Sequence, residues 1–235
     1  MQKGIKFRIY PNREQKNLIH QTLGCCRLIY NRGLAMRKES YEEGKKIGYT
    51  QTSAMLTELK RQEEFAFLKA ADSIALQQSL RDLDRSFVNF FQKRASYPTF
   101  KSKHNRFQSY RTVNQKDNIR IVGRYIKLPK LGFVKIRQSM EVGKINHVTI
   151  EYTPAGKYFA VLNIDFEPEP RPNAGGTIGI DVGIKAFYSD SNGNTVSNPR
   201  YLERSMRKLI REQRRLSRKQ KDSHNRGKQR LRVAR

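Results

Sequence analysis

The sequence predicts an α+β protein of several modules, in which a helical bundle is inserted into a β-sheet module and a smaller strand-and-helix module follows. Three observations predict this arrangement. Apolar residues recur at helical spacing across residues 12–94. Stretches of alternating apolar and polar residues flank them, at residues 3–10 and between 118 and 166. The Pro- and Gly-rich segment EPEPRPNAGG, residues 167–176, then precedes a last stretch of strands and a basic helix.

The composition points to a polyanionic partner. The 235 residues include 48 Lys and Arg against 21 Asp and Glu, a net charge of +27, and the isoelectric point is about 10.4. Such an excess, interleaved with aromatic residues, indicates nucleic acid; a ribosomal-type or tail-like basic protein is the plainer alternative. No apolar run approaches the roughly 18–20 residues of a membrane span. The N-terminal MQKGIKFRIYPN lacks the apolar core of a secretory signal, so we expect no membrane partner.

The two cysteines, Cys25 and Cys26, are adjacent. Neighbouring cysteines rarely form a disulfide with each other, and they lack the C-x-x-C spacing of metal ligands. We therefore predict that both are small core residues of a helix. A chain without a predicted disulfide fits a reducing compartment, so we expect a cytoplasmic location.

Local patterns predict one strand and three helices in the first part of the chain. The strand at 3–10 is ended by Pro11-Asn12, which also starts a helix from Arg13 to about Glu43. A polar connector then caps a second helix, about 51–62. A third helix begins at Asp72, and its apolar residues are spaced by four, three, four, three and one: Leu76, Leu80, Leu83, Phe87, Phe90 and Phe91.

The segment 95–112, ASYPTFKSKHNRFQSYRT, alternates basic residues with four aromatic ones. Lys and Arg pair with phosphates, and aromatic rings stack on bases or sugars. Nucleic-acid contact is therefore one interpretation. A loop whose aromatic residues pack into the following sheet is the other, and the sequence leaves both open.

The next stretch predicts a β-barrel-like or open-sheet module. Two or three short strands fall within 118–137. The segments INHVTIEYT and KYFAVLNIDFE then form a hairpin around Pro154-Ala155-Gly156. We expect the strand at 3–10 to join this sheet across the helical insertion.

The last module places a carboxylate where metal chemistry is possible. Strands are predicted at 177–182, 184–189 and 194–197, and a basic helix runs from Pro199 onward. Asp181, between two glycines, is expected on a buried central strand with room for a metal and a phosphate. Phosphodiester nucleases use several carboxylates around two divalent metals, and Mg²⁺ prefers oxygen ligands. This strand order begins ribonuclease-H-like folds; a strand Asp bonded to the backbone is the plainer alternative.

Several segments resemble one family. GIDVGIK (179–185) resembles the first RuvC motif of TnpB proteins, transposon-encoded, Cas12-related RNA-guided DNA endonucleases of the IS200/IS605 group. KFRIYPNREQKNLIHQTLGCCRLIYNRGLAMR resembles the family's N-terminal strand and helix, and YTQTSAMLTELK and ALQQSLRDLDRSFVNFF resemble its recognition helices. SYPTFKSK, SYRT and IKLPKLGFVKIR resemble its wedge β-module. The similarity covers essentially the whole chain.

The resemblance implies an organisation and an activity. It implies a wedge module at 1–11 and 95–168, a helical recognition module at 12–94, a linker at 169–176, and the start of a RuvC nuclease domain at 177–235. Guide RNA and double-stranded target DNA are the implied partners. Asp181 is the implied first ligand of Mg²⁺. The family's second and third carboxylates and its zinc ribbon have no counterpart in this sequence, so we expect a truncated N-terminal part that does not cleave DNA alone.

The resemblance also implies contacts for individual residues. Segments that read a short DNA motif beside the target match Tyr49, Gln51, Ser53, Gln77 and Thr112, and glutamine suits an adenine edge. Ser73 stands where some members carry Lys, and a solvated helix face is the alternative for Gln77. Basic residues expected on nucleic-acid backbones are Arg94, Lys101, Lys103, Arg106, Arg111, Lys185, Arg207, Arg211, Arg214 and Arg215.

Two other functions stay open at this point. One is a non-catalytic RNA-guided DNA-binding repressor, in which a nuclease has lost its active site. The other is a general RNA-binding protein, such as a regulator of its own transcript. The second would bind RNA without guide-dependent selectivity for DNA.

Overall fold

A seven-stranded antiparallel sheet packed against helices makes up the first of two units, Met1–Glu167; the second unit is Pro168–Arg235. The structure is a computed structural model and describes residues 1–105, 107–137, 142–168 and 175–235. Most of the predicted linker and Arg106 therefore lie outside the described residues. The predicted division into wedge, recognition, linker and RuvC modules stays a prediction.

The helices of the first unit begin where side chains cap them. Asn12 Oδ1 accepts from the Gln15 N–H at 2.8 Å, and Asp72 Oδ1 accepts from the Ile74 N–H at 2.9 Å. Both caps begin predicted helices. A short 3-10 helix, Glu63–Lys69, was not predicted. The elements are β1 (Gln2–Tyr10), α1 (Arg13–Glu42), α2 (Tyr49–Arg61) and α3 (Ser73–Phe91).

The first strand joins the sheet as predicted. The other strands of the sheet are β2 (Gln108–Val113), β3 (Arg120–Val122), β4 (Tyr125–Leu128), β5 (Gly132–Ile136), β6 (Ile145–Tyr152) and β7 (Tyr158–Asp165). β1 pairs with β7 from Gln2 to Ile9, and its end also pairs with β5. The strand order is β2-β6-β7-β1-β5-β4-β3, with β2 and β3 at the two edges; the barrel-like shape stays a prediction.

The helices and the sheet share one hydrophobic core. It combines residues of α1–α3 with inward-facing residues of β1, β6 and β7. Cys25 and Cys26 are buried in it as free thiols, which confirms that prediction. Burial raises the pKa of the Cys26 thiol far above its ordinary value. A second cluster joins α1 to α3 through Tyr30, Leu34, Leu83 and Phe87.

The second unit has three short strands and two helices. They are β8 (Ile180–Asp181), β9 (Ala186–Asp190), β10 (Thr195–Ser197), α4 (Tyr201–Ser217) and α5 (His224–Ala234). The order is β10-β9-β8, so β9 is central and Asp181 lies exposed on an edge strand. The expected buried central strand for Asp181 was therefore wrong, because a glycine-flanked apolar pattern fits an edge strand equally well.

The continuous basic helix expected after Pro199 was also wrong. The chain leaves α4 at Arg218, and Asp222 has a left-handed φ of 62°. Ser223 then caps α5 by accepting from the Arg226 N–H at 3.2 Å. Gln229 Nε2 donates to the carbonyl of Glu212 at 3.1 Å and to its carboxylate at 2.7 Å, which ties the two helices into a hairpin. Among the described residues, no helix is both long and apolar enough to cross a membrane.

Candidate nucleic-acid interface

The start of α2 and the exposed face of α3 form one polar and aromatic surface. Tyr49, half-buried at the start of α2, packs its ring on the core. The Arg81 guanidinium lies over that ring, 4.7 Å from its centroid. Gln77 is exposed one turn before Arg81, on the same face of α3. The structure therefore brings Tyr49 and Gln77 to one surface through Arg81. Arg81 was not predicted, although it lies four residues after Gln77 on the same helix.

Lys60 reaches this surface from the end of α2. Its ammonium donates to Ser73 Oγ at 3.2 Å. Desolvation lowers the pKa of Lys60, an effect that the nearby Asp72 opposes. The Lys60 ammonium therefore lies beside Ser73, four residues before Gln77 on α3, a position at which the sequence of α3 itself has no basic residue. Sequence reasoning missed it because the contact depends on how α2 packs on α3.

Of the other two residues expected to read DNA on α2, Gln51 has a partly engaged side chain and Ser53 is partly buried. Gln51 Oε1 accepts from the Gly48 N–H at 3.0 Å, the capping-box bond that satisfies a free donor at the helix start. Its side-chain NH₂ group still carries donors for a ligand. Ser53 is half-buried, and its carbonyl accepts from Thr57 Oγ1 at 3.3 Å.

Thr112 does not belong to this exposed surface. It pairs with Val148 across β2 and β6, and only 1% of it is exposed. Its hydroxyl oxygen is buried with no hydrogen-bond partner among the described residues. In this arrangement Thr112 is inaccessible to a base edge, so a contact to DNA would require β2 to be uncovered.

A basic cleft lies between α1, α3 and the start of β2. It has a volume of about 230 Å³, and its lining includes Arg27, Lys101, Phe107, Gln108 and Arg111. The Lys101 ammonium lies over the Tyr30 ring at 4.1 Å, and desolvation lowers its pKa although the residue as a whole is exposed. Arg111 Nη2 donates to Asp82 Oδ1 at 2.5 Å. Arg111, one of the residues expected to contact nucleic-acid phosphates, is thus partly neutralised in the cleft.

The exposed cations of the first unit include both expected and unexpected residues. Lys103 and Arg94 are exposed, the latter just after α3. A further basic group, which sequence reasoning missed, surrounds Tyr10 where β1 meets β5: Arg8, Arg124, Lys135 and Arg137. The Arg8 guanidinium lies 5.1 Å from the centroid of the Tyr10 ring. The outward alternation of Lys135 and Arg137 was the available signal.

Three of the four α4 arginines expected to contact nucleic acid are paired within the helix. Arg207 bonds Glu203, and Arg215 Nη1 donates to Glu212 Oε1 at 2.9 Å. Arg211 lies 3.8 Å from the same carboxylate. Arg214 and Lys185 are exposed. Of the four α4 arginines expected to contact nucleic acid, three are therefore already partly neutralised; Arg214 is the exception among the described ion pairs.

Asp181 lies on an open hollow opposite β9. It pairs across the strands with Ser189, and both residues line the hollow together with Asp190. The Asp190 carboxylate holds the following turn: Oδ1 accepts from the N–H groups of Asn192 and Asn194, both at 2.9 Å, and Oδ2 accepts from Asn194 Nδ2 at 2.8 Å. These bonds, led by the Asn194 side chain, lower the pKa of Asp190.

The residues around Asp181 do not fit a pair of divalent metals. Such a site needs several carboxylates around the ions. Within the described ranges, no group of three His, Cys, Asp or Glu residues is placed to hold a metal. Asp181 offers one carboxylate, and both oxygens of Asp190 are committed to the turn. The described residues likewise form no zinc site.

Comparison with known proteins identifies the family. A family model described as "Helix-turn-helix domain" matches residues 1–46, and one described as "Probable transposase" matches residues 147–235. A "Putative RNA-guided DNA endonuclease" of Streptomyces pristinaespiralis is 36% identical over 239 residues, which cover 100% of this chain and 59% of that protein. The chain belongs to the TnpB family.

Two further relatives match the chain. A "Putative RNA-guided DNA endonuclease InsQ" of Escherichia coli K12 is 34% identical over 99% of this TnpB-family chain and 58% of its own length. The "Virulence protein VsdF" of Salmonella dublin is 32% identical over 44% of the chain and 96% of its own length. The chain thus spans less than two thirds of the two endonuclease relatives. Residues 1–46 form β1 and α1, a strand and one helix rather than a helix–turn–helix.

Proposed function

We propose that this TnpB-family chain acts in an RNA-guided DNA endonuclease of an insertion sequence. Its part is to bind guide RNA and to read a short DNA motif beside the target. One observation carries the proposal. Tyr49, Gln77 and the ammonium of Lys60 lie on neighbouring parts of one surface formed by α2 and α3, with Arg81 stacked on the tyrosine. Amide and ammonium groups side by side suit the edges of bases in a groove.

The charge distribution supports RNA and DNA as the ligands. The chain has a net charge of +27. In the first unit, cations also lie over aromatic rings, such as Lys101 over Tyr30 and Arg8 over Tyr10. Phosphate contacts supply affinity without sequence information, whereas base contacts supply selectivity. We therefore assign backbone binding to the basic cleft and to the group around Tyr10, and base reading to the surface of α2 and α3.

We further propose that Asp181 is the first ligand of a RuvC-type Mg²⁺ site, whose other ligands are not among the described residues. Its exposure on an edge strand leaves it accessible to such partners. Among the described residues, Asp181 is the one uncommitted carboxylate at the hollow, so this chain by itself is expected to bind DNA without cutting it.

A binding selection tests the proposal. The chain is produced together with its native flanking DNA, and the RNA that copurifies with it is sequenced. The complex is then offered target DNA matched to that RNA, with a randomised flank, in the presence of Mg²⁺. We expect RNA-dependent enrichment of one flanking motif and intact DNA. Robust cutting would refute the inactivity of the chain, and selection that survives removal of the RNA would refute RNA guidance.

The second candidate is a general RNA-binding protein. The Asp190 carboxylate is engaged in its own turn, which leaves Asp181 alone to bind a metal at the hollow. This favours a regulator of this kind, which needs no metal site. It predicts tight binding of RNA and equal recovery of every flanking sequence in the same selection. Enrichment of one motif would exclude it.

A further inference from the structure

A cavity of about 730 Å³ lies at the shared end of α1 and α3, away from the surface that carries Gln77 and Tyr49. Its volume is within the roughly 300–1,000 Å³ of small-ligand sites. Aromatic rings and cations make up most of its lining, and no carboxylate is among the described residues that form it. They are Arg37, Tyr41, Lys45, Lys46, Ile47, Phe87, Phe90, Phe91 and Tyr97.

Two helix ends build this aromatic cavity. α1 ends in a Schellman turn: Gly44 has a φ of 74°, its N–H donates to the Tyr41 carbonyl at 3.0 Å, and Lys45 N–H donates to the Ser40 carbonyl at 2.7 Å. The turn sends Lys45 and Lys46 back beside Tyr41. α3 ends in the same way around Lys93, whose φ is 57°. The chain then returns, and Tyr97 packs against the last turn of α3.

The floor of the cavity is well packed, and its walls are exposed. Tyr97 meets Phe87 edge-on at 5.6 Å and Phe90 at 5.2 Å. The buried Arg37 guanidinium lies over Phe87 at 4.8 Å and is fixed by Asp84 Oδ1 at 2.5 Å. By contrast, Tyr41 is 77% exposed and Phe91 is 74% exposed. Large rings left this exposed on a preformed floor indicate a surface made for a ligand.

We infer that the aromatic cavity receives an unpaired base of RNA, with the neighbouring phosphates held by Lys45 and Lys46. The inference rests on the proposed function and gives the RNA a specific contact. Unpaired bases of RNA stack on aromatic side chains and on arginine planes, whatever their sequence. Both helices end here, and the negative ends of their dipoles disfavour a phosphate inside the cavity. The base therefore enters, while its phosphates stay at the lysine rim.

The charge of the lining decides between RNA and an apolar peptide. Arg37, Lys45 and Lys46 contribute three positive charges; Asp84 and Glu43 offset two of them in pairs, with Glu43 at 3.0 Å from Lys45. A polyanion with flat apolar rings matches rings and cations together, whereas an apolar segment would leave the lysines unused. Lys46 keeps its charge for a phosphate.

The test uses the full chain and single-stranded RNA that carries one 2-aminopurine, a base whose fluorescence falls when it stacks. Phe91→Ala and Tyr41→Ala are compared with the wild type and with Phe133→Ala, a half-exposed phenylalanine on β5 that serves as the control. We expect the two cavity variants to bind the RNA at least fivefold more weakly and to lose the quenching. The slope of affinity against salt should stay unchanged in them and fall for Lys46→Ala.

Four outcomes are distinguishable. Weaker binding and lost quenching in both cavity variants, with Phe133→Ala unaffected, support the proposal. Equal RNA binding in all variants overturns the proposal but leaves the proposed function intact. An apolar peptide would then be the favoured ligand of the cavity. Loss confined to single-stranded DNA of the same sequence also overturns it. If the wild-type chain binds no nucleic acid, the proposed function fails as well. Circular dichroism checks that every variant is folded.

Discussion

The ammonium of Lys60 donates a hydrogen bond to Ser73 Oγ at 3.2 Å. Ser73 lies four residues before Gln77, at a position where the resemblance to TnpB proteins implies a lysine in some members. The positive charge is thus supplied from α2 instead of α3, at nearly the same place. If Gln77 reads DNA, Lys60 is placed to act beside it.

This relationship predicts that Lys60→Ala reduces selectivity for the flanking motif. A good side-chain contact to a base is worth about 1–3 kcal/mol, so we expect about a tenfold loss of discrimination. Lys60→Ala combined with Ser73→Lys should recover most of it, because the charge returns from the other helix. Competition binding with matched and altered flanks measures both effects. Lys69→Ala, at the end of the 3-10 helix, controls for general loss of charge, and equal losses in the two single variants would contradict a specific role.

The sequence was most informative where structure depends on near neighbours. The starts of α1 and α3 follow from Asn12 and Asp72, whose side chains cap the helices that they precede. The hairpin of β6 and β7 follows from alternating residues around a turn. Each of these features depends on a few consecutive residues, so a local pattern is sufficient to predict it.

Features that depend on distant pairing were missed or misplaced. Thr112 is buried because β2 pairs with β6, which lies more than thirty residues away along the chain. The contact of Lys60 with Ser73 exists because α2 packs on α3. Asp181 is exposed because β8 is an edge strand, which its own sequence cannot reveal. Site residues are sensitive to such long-range geometry, so the site was predicted less well than the fold.

The crossing of α1 and α3 predicts opposite effects for two glycine substitutions in one helix. A Cβ added at Gly33 would lie 3.0 Å from Leu80 Cδ2 and Leu83 Cδ2, both in fully buried side chains. Gly33→Ala should therefore destabilise the protein by about 1–2 kcal/mol, because overpacking exceeds the gain in helix propensity. At Gly24 the nearest atom is the flexible end of Arg27 at 3.9 Å, so Gly24→Ala should stabilise by up to about 1 kcal/mol.

Denaturant unfolding of the two glycine variants, followed by circular dichroism, measures both changes. The midpoint should fall for Gly33→Ala and rise for Gly24→Ala, with similar slopes. A stabilised Gly33→Ala variant would show that Leu80 and Leu83 can move aside, and that the crossing of the two helices does not require a glycine.

The end of α3 predicts a stabilising substitution. Lys93 adopts a left-handed φ of 57°, and its N–H donates to the Phe90 carbonyl at 2.9 Å. This conformation costs a residue with a Cβ roughly 1–2 kcal/mol. Glycine avoids that cost, but it loses more conformational entropy on folding than lysine does, which offsets part of the gain. Lys93→Gly should therefore stabilise by about 0.5–1 kcal/mol. Lys93→Ala, which removes the charge but keeps the Cβ, is the control and should not stabilise.

The hairpin of α4 and α5 predicts a dependence on pH. The Gln229 side chain, and then Arg215 and Arg211, hold the pKa of Glu212 below its ordinary value. A carboxyl whose pKa is lowered by folding stabilises the folded state above its unfolded pKa, and this contribution is lost as the pH falls through the folded pKa. Glu212→Gln should therefore loosen the hairpin near neutral pH and have little effect in acid.

Hydrogen exchange of the full chain, corrected for intrinsic rates, measures the opening of the hairpin. At about pH 7, amides of α4 and α5 should exchange faster in Glu212→Gln than in the wild type, and at about pH 3 the two should converge. Glu203→Gln removes an exposed carboxylate from the same helix and serves as the control, because Glu203 makes no bond to α5 among the described residues. A difference that persists unchanged in acid would show that Glu212 acts through packing and not through its charge.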